Sequence, residues 1–206
     1  MEIPMVMTLD TSVFCDEKKF NDAYNHVSDG RREKIDALKS HGDKRLSLGA
    51  GVLFEEGLKA FGIADGSLQY GEHKKPYLKA HDDIFFSLSH SGDMAVCAFY
   101  DREIGIDIEK MRKVPSSVMQ KVTTKKEYDY LSGLDEDQKT RDFTRLWTVK
   151  ESYIKYLGEA LKESLLQKIE VTFGEKITLT HDGKNTGVTL EQQSVPGYAL
   201  CVCYKK

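Results

Sequence analysis

The chain has 206 residues, with 30 Lys and Arg against 33 Asp and Glu for a formal charge of −3, and it is 40% hydrophobic and 31% charged. That balance excludes a disordered or collagen-like chain, and the near-neutral sum argues against a surface built as a whole to grip nucleic acid. No run approaches the ~20 apolar residues of a membrane span, no basic cluster precedes a signal-like stretch, and Cys15, Cys97, Cys201 and Cys203 form no C-x-x-C pair, so the expectation is a cytoplasmic protein with reduced thiols and no zinc site.

Ile3 to Leu9 reads as a first strand, and a polar segment of helical spacing follows from Asp16 to His26. Leu46, Leu48, Val52, Leu53, Leu58 and Phe61 make an apolar stripe that predicts a long helix from about Asp43 to Phe61, stopped at Gly62. Ile84 to Ser89 alternates as a strand, and Ala95 to Tyr100 continues as another after the turn signal Ser91-Gly92-Asp93. Gly105 to Glu109 is the next strand. Helices are predicted over Thr124 to Leu131 and Asp135 to Leu157, then strands near Lys168 to Phe173, Lys176 to Thr180, Gly187 to Glu191 and Tyr198 to Tyr204, with Asp182-Gly183 as a hairpin turn.

A weak internal repeat runs through these elements. Ala95 to Tyr100 reads against Ala199 to Tyr204 at an offset of 104, while Arg45, Glu55, Lys59 and Gly62 align with Arg141, Glu151, Lys155 and Gly158 at an offset of 96. Two kinds of element matched in the same order favour duplication over coincidence, with the halves joined near Tyr100 to Ile104.

Two local patterns suggest chemistry. On the strand Gly105 to Lys110, alternation sends Ile106 and Ile108 into the core and Asp107 and Glu109 together to the other face. Paired carboxylates repel unless a cation lies between them, as a hard oxygen-ligated ion would; an exposed strand with two solvated acids is the plain alternative. On the second long helix, Trp147, Glu151 and Lys155 recur every four residues on one face, placing a carboxylate and an ammonium beside an indole.

The two patterns together, 44 residues apart from Asp107 to Glu151, resemble the 4′-phosphopantetheinyl transferases of the surfactin-synthetase-activating type. Trp147-Thr148-Val149-Lys150-Glu151-Ser152 with Lys155 fits the family's helix motif. Lys75-Pro76-Tyr77, Phe86 to Gly92, and Arg45 with Gly49 fit further family segments, so the likeness runs from about Ser28 to Leu161. Two departures stand out: Lys74 where the family usually has glycine, and Ala160 in a usual glycine position.

The resemblance implies an α+β, pseudo-dimeric fold of two subdomains, each half a small antiparallel sheet packed on a long helix. The halves would be 1–102, contacting the coenzyme A 3′-phosphate and pyrophosphate, and 103–206, holding the metal ligands and the carrier-protein docking surface. The implied activity is transfer of 4′-phosphopantetheine from coenzyme A to a serine hydroxyl of an apo acyl or peptidyl carrier protein, releasing 3′,5′-ADP. Magnesium is the implied metal, with manganese the alternative, on Asp107, Glu109 and Glu151. Lys155 matches the group that contacts the α-phosphate. Ser89 and His90 match pyrophosphate and nucleotide contacts; Arg31, Lys34, Arg45 and Lys75 would hold the 3′-phosphate, with Pro76 and Lys150 also in matched cofactor-binding segments.

The general base is left between Glu127, where the family has a glutamate, and Glu151. Thr124-Lys125-Lys126-Glu127 also reads as a capping box, which would give Glu127 a structural duty instead. Six cations and no acid occur among Lys110, Arg112, Lys113, Lys121, Lys125 and Lys126, a basic segment expected to dock acidic carriers, with Val118 and Met119 adding apolar contact. The chain is expected to be monomeric, without nucleic-acid or membrane partners. A non-catalytic coenzyme A or carrier-protein binding module and a metal-dependent phosphodiesterase are the competing classes.

Overall fold

The computed structural model describes residues 2–206. Its first part runs β1 (Met5–Asp10), a 3-10 turn (Thr11–Cys15), α1 (Glu17–Tyr24), α2 (Asp29–Asp36), α3 (His41–Ala60), β2 (Leu68–Tyr70), β3 (Pro76–Leu78), β4 (Phe85–Ser91) and β5 (Met94–Tyr100). The second part runs β6 (Ile104–Lys110), α4 (Ser116–Val122), α5 (Lys125–Ser132), α6 (Glu136–Leu157), α7 (Glu163–Leu166), β7 (Ile169–Thr172), β8 (Thr178–His181), β9 (Lys184–Asn185), β10 (Thr189–Val195) and β11 (Tyr198–Tyr204).

Two antiparallel sheets share one plan. In the first, β5 lies between β1 and β4; in the second, β11 lies between β6 and β10. Each therefore consists of a leading strand, a long helix, and a hairpin whose second strand is central. Alternation along β5 sends Ala95, Cys97 and Phe99 toward Leu53, Phe54 and Leu58 of α3, and along β11 sends Cys201 and Cys203 toward Val149 and Tyr153 of α6. The opposite strand faces meet each other through Val96, Ala98, Tyr100, Ile104, Ile106, Ile108, Leu200, Val202 and Tyr204. The layers are thus helix, sheet, sheet, helix, an α+β architecture with a small antiparallel sheet on a long helix in each half.

The predicted elements form, with boundaries moved by a few residues. Ser40 caps α3, and Asp135 caps α6 by accepting from the Asp137 and Gln138 amides. Gly158 ends α6 at φ 71°, a left-handed conformation that costs glycine little. Sequence periodicity gives no sign of α2, α4, α7, β2, β3 or β9. A further difference concerns the C-terminal strands: β7, β8 and β9 form a separate three-stranded sheet, with Asp182-Gly183 turning β8 into β9. Among the described residues, no helix is long and apolar enough to cross a membrane.

Candidate active site

One close approach sets the site. A Cβ at Gly105 would lie 1.9 Å from the Ser152 carbonyl oxygen and 2.4 Å from the Tyr156 amide, so the absence of a side chain there lets α6 press its backbone onto β6. That contact puts Asp107 and Glu109 of β6 beside Glu151 and Lys155 of α6. Together with Arg31 of α2 and Ser89 and His90 of β4, these residues line a cavity of about 350 Å³. Ile106 and Ile108 are fully buried on the opposite strand face.

The edge strands β4 and β6 are tied by alternate serines. Ser87 Oγ accepts from the Ile106 amide at 3.1 Å, Ser89 Oγ donates to Asp107 Oδ1 at 2.7 Å, and Ser91 Oγ donates to Glu109 Oε2 at 2.7 Å. Lys155 Nζ donates to the same Asp107 Oδ1 at 2.7 Å. Asp107 is only 3% exposed, yet its Oδ2 has no partner. A buried carboxylate oxygen without a donor is costly, and a cation would satisfy it.

The surrounding charges say the same. Desolvation first, then the Asp107 and Glu109 carboxylates, push the Glu151 pKa up to about 7, against the opposing pull of Lys155. Glu151 is therefore reluctant to ionise beside two other acids, which is the electrostatic signature of a cation-poor acidic site. Lys155 as placed is the cation nearest Asp107. Among the described residues, no three His, Cys, Asp or Glu side chains already close to metal-holding distance. The donor set of hard carboxylate oxygens and the orphaned Asp107 Oδ2 nonetheless fit a hard divalent ion. His90 has its pKa lowered, first by desolvation and then by the Lys155 charge.

The remaining sequence candidates divide. Lys75 and Pro76 border an adjoining cavity of about 230 Å³ that shares Leu88 and Lys155 with the first. Lys75 itself is occupied: its Nζ donates to Glu103 Oε2 at 2.5 Å and to the Ile104 and Tyr156 carbonyls at 3.2 Å, tying the β2–β3 loop to β6 and α6. In this arrangement it is a clasp and presents no free proton to a phosphate. Arg31 stands between the carboxylate cavity and a larger one of about 920 Å³, where Lys34 donates to the Tyr70 hydroxyl at 3.1 Å. Arg45 borders neither of the two cleft cavities, and its Nε is buried without a partner.

Glu127 and Lys150 line neither of the two cleft cavities. Both are buried away from the cleft, Lys150 at 0% exposure and Glu127 at 3%, and their side chains pair with each other at 2.7 Å. The capping box at Thr124 and Glu127 is formed.

Sequence reasoning missed the serine ladder, Glu103 as the partner of Lys75, and an apolar groove of about 200 Å³ next to Glu109. Arg112, Val114, Val118, Phe143 and Trp147 line that groove. The serines were visible as the every-second-residue pattern in Phe86-Ser87-Leu88-Ser89-His90-Ser91; the groove joins residues far apart in sequence and has no local signal.

Residues 103–203 match the 4′-phosphopantetheinyl transferase superfamily. A Bacillus subtilis 4′-phosphopantetheinyl transferase is 36% identical over 138 residues, 66% of this chain and 62% of that relative, so the match spans less than two thirds of its length. The 4′-phosphopantetheinyl transferase Sfp of Bacillus subtilis (strain 168) is 28% identical over 182 residues, 86% of this chain and 81% of the relative. A solved holo-(acyl-carrier-protein) synthase from Bacillus anthracis str. Ames in complex with CoA (3′,5′-ADP) aligns with a TM-score of 0.42 at 23% identity, covering 50% of this chain and 96% of that one.

Proposed function

We propose, from the premise that the chain belongs to the 4′-phosphopantetheinyl transferase superfamily, of the surfactin-synthetase-activating type, that it transfers 4′-phosphopantetheine from coenzyme A to a serine hydroxyl of an apo carrier protein. The observation that supports this best is the convergence of Asp107, Glu109, Glu151 and Lys155 on one cavity, with Asp107 Oδ2 unpartnered.

In the proposed reaction the serine oxygen attacks the coenzyme A phosphorus that bears the pantetheine arm. The new O–P bond forms as the bond from that phosphorus to the bridging pyrophosphate oxygen breaks. The serine proton passes to the Glu151 carboxylate, which lines the same cavity. 3′,5′-ADP leaves with the broken bond's electron pair, and Lys155 faces the charge that develops on it. Asp107, Glu109 and Glu151 would hold magnesium, whose chemistry when bound is to neutralise pyrophosphate charge. Ser89 fixes Asp107, and His90 and Arg31 line the nucleotide side.

Residues 1–102 would then supply coenzyme A contacts, and 103–206 the carboxylates and the carrier surface. Three of the six cations in the basic segment are already in ion pairs, Lys110 with Asp93, Lys125 with Asp129 and Lys126 with Glu170. Docking of an acidic carrier therefore falls to Lys113, Lys121 and Arg112, the last of which lines the apolar groove at Trp147. A monomer acting in the cytoplasm completes the proposal.

The test is incubation with coenzyme A, magnesium and a panel of apo carriers, with 3′,5′-ADP release quantified beside the carrier mass. Equal release of nucleotide and gain of one phosphopantetheine per carrier supports transfer. Nucleotide or pantetheine release with no carrier modified supports the phosphodiesterase class instead, and binding with no release the non-catalytic one.

A further inference from the structure

Lys150 precedes Glu151 on α6 but points the other way. Its ammonium is wholly buried, and its three protons have three acceptors: Glu127 Oε2 at 2.7 Å, the Leu166 carbonyl at 2.9 Å and the Val122 carbonyl at 3.1 Å. Glu127 is equally occupied. Its Oε1 accepts from the Val171 amide at 2.7 Å, and its Oε2 also accepts from the Thr124 amide at 2.7 Å. One buried pair thus joins the last turn of α4, the start of α5, the end of α7 and the strand β7 to the helix that bears Glu151.

Two of those attachments, at Val122 and Thr124, fall within the basic segment. Val122 is the last residue of α4, the helix that presents Val118 and Lys121, and Thr124 opens α5 just after it. An ammonium on the carbonyl end of a short helix both satisfies an orphan acceptor and is attracted to the negative end of the helix dipole. With seven residues, α4 is too short to hold itself and depends on such a tie. We infer that Lys150 and Glu127 are positioning residues, a buried post that holds segment 116–124, which carries Lys121 and Val118 of the proposed carrier surface, in register with the catalytic face of α6. The inference rests on the transferase proposal for its functional meaning, and on geometry alone for the mechanical tie. It gives Glu127 no proton-transfer duty.

Removing one member leaves the other charge buried and alone, so Glu127→Gln or Lys150→Met singly will unfold part of the population. The decisive variant is Glu127→Gln with Lys150→Met, which removes both charges, keeps an amide oxygen for the Val171 or Thr124 amide, and keeps the volume near constant. Amide hydrogen exchange and steady-state kinetics are measured on it and on the wild type. The expected result is exchange at least tenfold faster over 116–124 with α3 and β5 unchanged, KM for the carrier raised about tenfold, and kcat and its pH profile within threefold of wild type. Unchanged exchange over 116–124 overturns the post. A kcat loss of a hundredfold with an altered pH profile and unchanged KM overturns it in favour of Glu127 as base. If the wild type transfers nothing to any carrier, the transferase proposal fails, while the exchange measurement still decides the mechanical tie.

Discussion

Lys155 Nζ stands 2.7 Å from Asp107 Oδ1, a lysine of α6 neutralising an aspartate of β6 at the floor of the cleft. The same ammonium borders the adjoining cavity that Lys75 and Pro76 line. Lys155→Ala is expected to lower kcat by about a hundredfold, the usual cost of removing one preorganised charge from a developing anion. Magnesium affinity is expected to hold or rise, because Lys155 and the metal compete for Asp107. A magnesium titration of transfer rate on both proteins separates the two effects.

Glu151 links pH to both stability and metal. In the metal-free fold its pKa stands at about 7 against an ordinary 4.5, so the folded chain keeps a proton that the unfolded chain has released. Stability of the metal-free protein therefore falls as pH rises from 4.5 through 7, and the penalty is fully present above 7. Glu151→Gln is expected to stabilise the metal-free protein by up to roughly 3 kcal/mol at pH 8 and by little near pH 4. Urea denaturation at the two pH values checks this. On the proposed metal set, magnesium binding displaces the same proton, so wild-type affinity is expected to weaken up to about tenfold per unit below pH 7.

Gly105 is a steric requirement of the site. Backbone atoms of α6 occupy the place of a Cβ, and backbone yields less easily than a side-chain tip. Gly105→Ala is expected to cost about 3 kcal/mol or more and to displace Glu151 and Lys155 from Asp107, lowering both the melting temperature and the transfer rate.

Lys74 sits at φ 66°, in the left-handed region, where the family usually has glycine. It donates its amide to the Gly71 carbonyl in the turn before Lys75. A side chain pays about 1 kcal/mol or more for that conformation. Lys74→Gly is expected to be neutral or stabilising by up to about 1 kcal/mol, the gain in strain being offset by a more flexible unfolded chain; Lys74→Val is expected to destabilise, by denaturant titration.

Charge reversal at Arg112, Lys113 and Lys121 is expected to reduce kcat/KM for an acidic carrier at least tenfold at low salt, with KM for coenzyme A unchanged. The wild-type rate should fall steeply with ionic strength, and the triple variant should lose that slope. Stopped-flow association at several salt concentrations reads both. A slope equal in the two proteins would place the docking surface elsewhere.

The strand and helix of the cleft were legible because their signals are periodic. Asp107 and Glu109 alternate with Ile106 and Ile108 over two residues, and Trp147, Glu151 and Lys155 recur over four, so each set shares a face whatever the tertiary fold. The repeat was legible for the same reason, through the hairpin strands β5 and β11 and the helices α3 and α6. What Lys75 does was not, since its acceptors come from Glu103, Ile104 and Tyr156, all in the other half of the chain. Glu127 shows both sides of this. Its capping box is a four-residue pattern and could be read, but its pairing with Lys150, 23 residues on, decides that it is buried away from the cleft.

The most direct test of the carboxylate cleft is the intact mass of an apo carrier after incubation with coenzyme A and the chain, run with wild type, with Asp107→Asn, and with wild type lacking divalent metal. The account predicts one added phosphopantetheine per carrier for the wild type with magnesium, and at least a hundredfold slower addition in the other two. Addition by Asp107→Asn at the wild-type rate, or equally fast addition without metal, would contradict it.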